Sequence, residues 1–323
     1  DEGAQVGGLI ACNAGGARAV KTGVMRNYVT GIEVVLPTGE ILNIGGKLVK
    51  DNISAGKLMH LFIGTEGILG VITKAVIRLS PRFKATATMI VPFNDRHSAL
   101  NTVPKVLQRG IIPLGLEYVE REAVELSAKH LGLEWPCKEG SAFLIFILAE
   151  FDEEALYAKL EELSAICEEN GSLEPLLAET AKEQETILKI RSEIYTALKP
   201  DTYDILDVCV PPANIGRLLD EIDKIAERYG AMIPVYGHAG DGNVHPHVML
   251  KEGWTEEQYE KVRKEIYEAA IKLGGVITGE HGVGEIRKKD LLLNLSEEEV
   301  ELLRKLKKTL DPNNILNPGK VLP

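Results

Sequence analysis

Two short segments carry four of the chain's seven histidines: Gly237-His238-Ala239-Gly240-Asp241-Gly242-Asn243-Val244-His245-Pro246-His247 and Gly279-Glu280-His281-Gly282-Val283-Gly284. Imidazoles and carboxylates are the ligand types of Zn, Mn and Fe(II). Three histidines and a carboxylate can surround such an ion and still leave a base over. Asp241-Gly242 is a strong hairpin signal between the apolar runs Met232–Tyr236 and Val248–Leu250. A two-residue turn there predicts His238 opposite His245, with Cβ atoms roughly 5 Å apart, and His247 next on the same face. Glu280, from a separate loop, then completes a set of two histidines and one carboxylate with open positions for substrate. Singly, each residue reads as a turn or an exposed loop tip; together, in a chain poor in histidine, they read as a ligand set.

The elements that must position these residues follow from patterning. Residues 1–80 are rich in Gly and β-branched residues, with strand-like runs at Gly31–Leu36 and Gly70–Leu79 separated by turn chemistry such as Pro37-Thr38-Gly39-Glu40. Ser80-Pro81-Arg82 punctuates the end of this module. Strands then alternate with helices: Thr86–Phe93, a helix at about 95–109, Leu114–Glu120, Ala142–Glu150, and a charged helix capped by Asp152 that ends at Asn170-Gly171. A strand at Ile205–Val210 and a helix from Asn214 to Tyr229 lead into the histidine-bearing strand pair. The pattern predicts an α+β chain whose middle region, 81–290, is a ferredoxin-like cap with an antiparallel sheet, single or doubled. Residues 291–323 follow as a helical segment in which Ser296 caps Glu297–Leu310 before Asp311-Pro312 stops it.

A chain of 323 residues suits two domains, and 45% hydrophobic with 26% charged residues marks a globular enzyme. With 48 acidic against 37 basic residues, the net charge of −11 argues against a nucleic-acid surface. No run approaches a membrane span. Cys12, Cys137, Cys167 and Cys209 form no Cys-x-x-Cys pair, so neither an iron–sulfur cluster nor a disulfide framework is expected, and the thiols point to a reducing cytoplasm. The opening Asp1-Glu2-Gly3-Ala4 lacks an initiator Met and a signal peptide, as a cut piece of a longer chain would.

The glycine-rich first region contains Gly7-Gly8, Ala11-Cys12-Asn13-Ala14-Gly15-Gly16, Gly23-Val24, Arg26, Tyr28-Val29 and Leu61-Phe62-Ile63-Gly64-Thr65-Glu66-Gly67-Ile68-Leu69-Gly70. It resembles the latter part of the FAD-binding domain of vanillyl-alcohol-oxidase-type flavoenzymes. The remainder, to the closing Asn317-Pro318-Gly319-Lys320, resembles the D-2-hydroxyacid dehydrogenase and glycolate oxidase flavoprotein branch of that superfamily. The resemblance implies FAD as cofactor, contacted by Asn13, Ala14, Gly15, Gly16, Gly23, Glu66, Gly67, Gly70, Ile72 and Asn317. It also implies a divalent metal (Zn, Mn or Fe) held by His238, His245 and Glu280, with His281 as catalytic base, Arg191 on the substrate carboxylate and His247 near the substrate. A small D-2-hydroxy acid is then oxidised to the 2-oxo acid, the metal activating the hydroxyl and the hydride passing to flavin N5. Relatives specific for longer dicarboxylates carry more polar residues after the arginine; Tyr195 and Ile205-Leu206 stand here instead, which favours D-lactate or glycolate. The electron acceptor is left open among a quinone, an electron-transfer flavoprotein and an iron–sulfur subunit. The first FAD subdomain of such proteins lies upstream of this sequence. Two other readings use the same residues: a flavin-free metal hydrolase, and a non-catalytic metal-binding or docking fragment.

Overall fold

The computed structural model of the chain describes residues 3–53 and 58–323, and its contacts divide the chain into two compact units. The first gathers residues 1–16, 22–81 and 278–323, the second residues 17–21 and 82–277. The second unit ends at residue 277, and five residues near the start, 17–21, belong to it.

In the first unit, β1 (Val29–Val35), β2 (Ile41–Gly45) and β3 (Val71–Ile77) form an antiparallel sheet in the order β2-β1-β3. The Pro37–Glu40 turn sets Val35 against Ile41. Beneath the sheet, Ile10, Val34, Phe62, Ile63 and Leu69 are buried, and Leu310, Val321 and Leu322 from the chain's end pack on them. Ser296 caps the Glu297–Leu310 helix with a reciprocal bond to Glu299, as the Ser-x-x-Glu spacing predicts. Just past it, Asp311 is buried, accepting the N–H groups of Ile315 (3.0 Å) and Leu316 (2.9 Å) and the Lys307 ammonium.

Burial alone would raise the Asp311 carboxyl, but Lys307 and the two N–H groups outweigh it and hold it at about 2. An aspartate in an unfolded chain titrates at about 3.9. The depressed folded value means that the stabilisation is complete above the unfolded value and is lost as pH falls through 4 towards 2. Asp311→Asn should therefore melt below wild type at neutral pH, with the gap closing near pH 2; parallel thermal melts across this range check it.

The second unit is built on an eight-stranded sheet. Its strands are β4 (Ala85–Phe93), β5 (Gly115–Glu120), β6 (Ala142–Glu150), β7 (Leu176–Ala178), β8 (Thr202–Ile205), β9 (Val208–Cys209), β10 (Val235–His238) and β11 (Asn243–Met249). The order β7-β4-β6-β5 is that of a ferredoxin-like repeat, with the Arg96–Gln108 and Glu153–Glu169 helices as its crossovers. β10-β11-β9 begins a second repeat, whose fourth strand shrinks to a bridge between Cys209 and Val276. The repeats join where Gly237 pairs Tyr118. The doubled form, one of the two that the βα rhythm allows, is present.

Two local expectations are corrected. The Ile205–Val210 strand is broken at Leu206-Asp207: the Leu206 N–H goes to Pro246 O (2.8 Å), and Asp207 turns inward to accept from Asn243. The histidine hairpin has a four-residue loop, Ala239–Gly242, so His238 pairs Asn243 and His245 pairs Tyr236. The N–H groups of Asp241 and Gly242 both reach His238 O (3.3 and 3.1 Å), while Asp241 Oδ1 accepts from Asn243 N–H (3.2 Å). Gly242 sits at φ +90°, where an added Cβ would lie 1.8 Å from Val210 O. No other residue fits there.

One face of this sheet is covered by the Arg121–His130, Ala181–Ser192 and Ile194–Leu198 helices over a core of Ile90, Val119, Val124, Phe143, Ile145 and Ile190. Strand alternation places Glu117, Tyr236, His238, Asn243, His245 and His247 on this same face. They form its polar end. Among the described residues no helix is long and apolar enough to cross a membrane.

Candidate functional site

In the second unit the register fixes the polar cluster. One step from the Gly237–Tyr118 pair, His238 meets Glu117, whose carboxylate lies 2.7 and 2.9 Å from His238 Nδ1. Glu117 is 1% exposed and also ion-pairs with Arg191, itself 9% exposed at the end of the Ala181–Ser192 helix. Burial pushes the Glu117 carboxyl upward, but Arg191, followed by His238, more than reverses this and holds it at about 2. The guanidinium lies 4.9 Å from the Tyr236 ring. Its Nε is buried with no hydrogen-bond partner among the described residues.

His238 and His245 are diagonal neighbours, not directly opposed, yet their rings stand 5.5 Å apart and nearly perpendicular. His245 Nδ1 is 3.7 Å from Asp207 Oδ1, and Asn243 Nδ2 donates to that same oxygen at 2.9 Å. His247 is fully buried between Thr202 Oγ1, 3.0 Å from its Nδ1, and the Tyr236 hydroxyl, 3.1 Å from its Nε2. The Thr202 hydroxyl donates to Leu198 O (2.9 Å). Its oxygen then accepts from His247 Nδ1–H, so that His247 Nε2 accepts from Tyr236.

The other candidates lie in the first unit. Glu280 and His281 occupy a turn closed by Thr278, whose hydroxyl accepts the Gly282 N–H at 2.9 Å. The turn is strapped down by Glu66, whose carboxylate takes the N–H groups of Val283 (2.8 Å) and Gly284 (2.7 Å). An added Cβ at Gly282, φ +84°, would come within 2.8 Å of that carboxylate. This strap ties the segment after 277 to the rest of the first unit. Asn317 Nδ2 donates to Glu66 O (2.6 Å), which brings two expected flavin contacts together in a structural role.

The Asn13–Gly16 segment is a loop held by bonds to neighbouring segments: Asn13 Oδ1 accepts Arg26 N–H at 2.9 Å, and Ala14 N–H donates to Leu9 O at 2.8 Å. A Cβ on Gly16 would meet nothing within 4 Å, whereas one on Gly15 would lie 3.4 Å from Glu280 Oε2. Gly23 and Gly70 are small for packing reasons, since a Cβ would strike Asn27 and Val34 respectively. Gly67 adjoins Asn317 in the same way, and Ile72 packs on the core. The four cysteines are free thiols, and burial pushes Cys137 and Cys167 up to about 11 and 12.

Sequence reasoning missed Glu117, Asp207 and Tyr236. Glu117 carried a signal, being a lone charge inside an otherwise apolar strand, and a buried polar residue is the informative one.

Residues 82–321 match the family described as FAD linked oxidases, C-terminal domain, and residues 1–45 match a FAD binding domain. A D-lactate dehydrogenase of Archaeoglobus fulgidus is 44% identical over 99% of this chain and 70% of its own length. The glycolate oxidase subunit GlcD of Bacillus subtilis is 36% identical over 98% of this chain and 67% of its own length. The 4-ethylphenol oxidase of Gulosibacter chungangensis superposes with a TM-score of 0.66 at 14% identity, over 91% of this chain and 66% of that one.

Proposed function

The chain belongs to the FAD-linked oxidase family, and we propose that it oxidises a small D-2-hydroxy acid, of the D-lactate or glycolate type, to the 2-oxo acid. The observation that carries this reading is the approach of Glu280 to Gly15: a carboxylate suited to a divalent ion sits beside the segment suited to a flavin, with His281 next to it. The open backbone at Gly16 allows a flat ring to come close.

The donor set suits Zn, Mn or Fe(II). With its Nδ1 turned to Glu117, His238 offers Nε2 to an ion, and His245 and Glu280 are the other assigned ligands. When bound, the ion supplies Lewis acidity at the substrate hydroxyl and the flavin supplies the two-electron acceptor. The chain's own residues do the rest. Arg191, with its buried Nε available, receives the substrate carboxylate in a bidentate grip. His281 takes the hydroxyl proton on an imidazole nitrogen. His247 borders the substrate, and a direct contact requires it to release the Tyr236 hydroxyl. Electrons then leave to a separate acceptor, an electron-transfer flavoprotein or iron–sulfur subunit. The match of residues 1–45 to a FAD binding domain leaves the flavin-free hydrolase without support.

Mixed with FAD, the purified chain should acquire flavin absorption that D-lactate or glycolate bleaches, with reduction of an added dye. A chelator should stop the dye reduction without releasing the flavin. Failure to bind FAD, even when the upstream segment is supplied, overturns the oxidoreductase reading. Metal binding with bound flavin but no turnover favours the docking fragment.

A further inference from the structure

We propose that Glu117 is a positioning residue: this one buried carboxylate fixes the His238 ring with Nε2 directed away for a metal ion, and anchors the Arg191 guanidinium on the same sheet face. The inference rests on the metal reading above. Both Glu117 oxygens lie within 2.9 Å of His238 Nδ1, and one of them also meets Arg191. A carboxylate at that distance accepts a hydrogen bond, so Nδ1 carries a proton, and in the neutral imidazole that binds an ion the lone pair is on the far nitrogen. Partners of this kind orient metal-bound histidines and typically contribute 10–100-fold to metal affinity.

A carboxylate is expensive to bury alone, and a purely structural account would have Glu117 serve only to neutralise Arg191. A second role is indicated by its two-sided placement. β5 and β10 join the two repeats at Gly237 and Tyr118, so the contact between Glu117 and His238 spans the seam where the fold brings its halves together. Arg191 reaches Glu117 from a helix, not from the sheet. The carboxylate therefore ties the ion's proposed ligand and the proposed substrate cation to a single point.

Two double variants of equal charge separate the accounts. Glu117→Gln/Arg191→Met keeps an acceptor facing Nδ1, and Glu117→Met/Arg191→Met does not; neither buries an unpaired charge. Zn(II) affinity is read by competition with a chromophoric chelator, alongside a thermal melt of each protein. The Gln double should bind Zn(II) at least about 10-fold tighter than the Met double, in line with outer-partner effects, at similar melting temperature. Equal affinities overturn the proposal while leaving the metal site intact. Absence of Zn(II) binding by wild type, in contrast, overturns the metal reading itself. If the Met double does not fold, nitrogen-15 NMR of the wild-type histidines gives the answer: the proposal requires His238, assigned by difference against His238→Gln, to carry its proton on Nδ1, and a proton on Nε2 overturns it.

Discussion

Replacing His281 by Ala should lower 2-hydroxy-acid-dependent dye reduction by about 10²–10⁴-fold, the range that a positioned general base supplies, while leaving the metal and flavin bound. His281 and Glu280 are neighbours in sequence but differ in setting. The His281 side chain is 46% exposed and that of Glu280 17%, with Nε2 and Oε1 3.9 Å apart. The sheltered carboxylate suits an ion and the open imidazole suits proton exchange. Because the position is exposed, the substitution should change stability by no more than about 0.5 kcal/mol, so lost activity cannot be laid to misfolding. Steady-state turnover, metal content and the flavin spectrum of one preparation test this together. Activity within tenfold of wild type would place the base elsewhere.

Arg191→Met should have the largest effect on stability, about 3–5 kcal/mol, the usual result of removing one partner of a buried ion pair. Glu117, 1% exposed, would be left without its principal counter-charge. The companion change distinguishes this from lost packing against Tyr236: Glu117→Met/Arg191→Met removes both charges and should regain most of the loss. Urea melts of the single and double variants decide the point. A single variant as stable as wild type would mean that the Arg191–Glu117 pair contributes little.

The layout of the fold was legible because local signals agreed. Asp152 and Ser296 both cap the helices assigned to them, and Ala142–Glu150 is a strand over its full predicted length. What misled was a local signal overruled by a distant one. Asp241-Gly242 looks like a two-residue turn, but Val210, whose N–H donates to Gly242 O, and Asp241, which accepts the Asn243 N–H, hold a four-residue loop. The histidines still meet, since diagonal neighbours on a sheet face remain within reach of long side chains. The break at Asp207 and the partner of Arg191 were hidden for the same reason. Asn243 is 36 positions from Asp207, and Glu117 lies in β5, far along the chain from the helix that carries Arg191. Spacing along the chain carries no trace of such pairs.

The assembly of the first unit from three separated stretches has a consequence for the order of folding. The second unit is nearly continuous, so its contacts are complete once residue 277 has been made, and domains generally fold as units during synthesis. The first unit must wait. Its core stays open until Leu310, Val321 and Leu322 arrive, and Glu66 has no Val283 or Gly284 to grip before then. A nascent chain halted shortly after residue 277 would thus pair a finished cap with an unfinished flavin unit, exposing apolar surface around Ile10, Phe62 and Ile63 to chaperones.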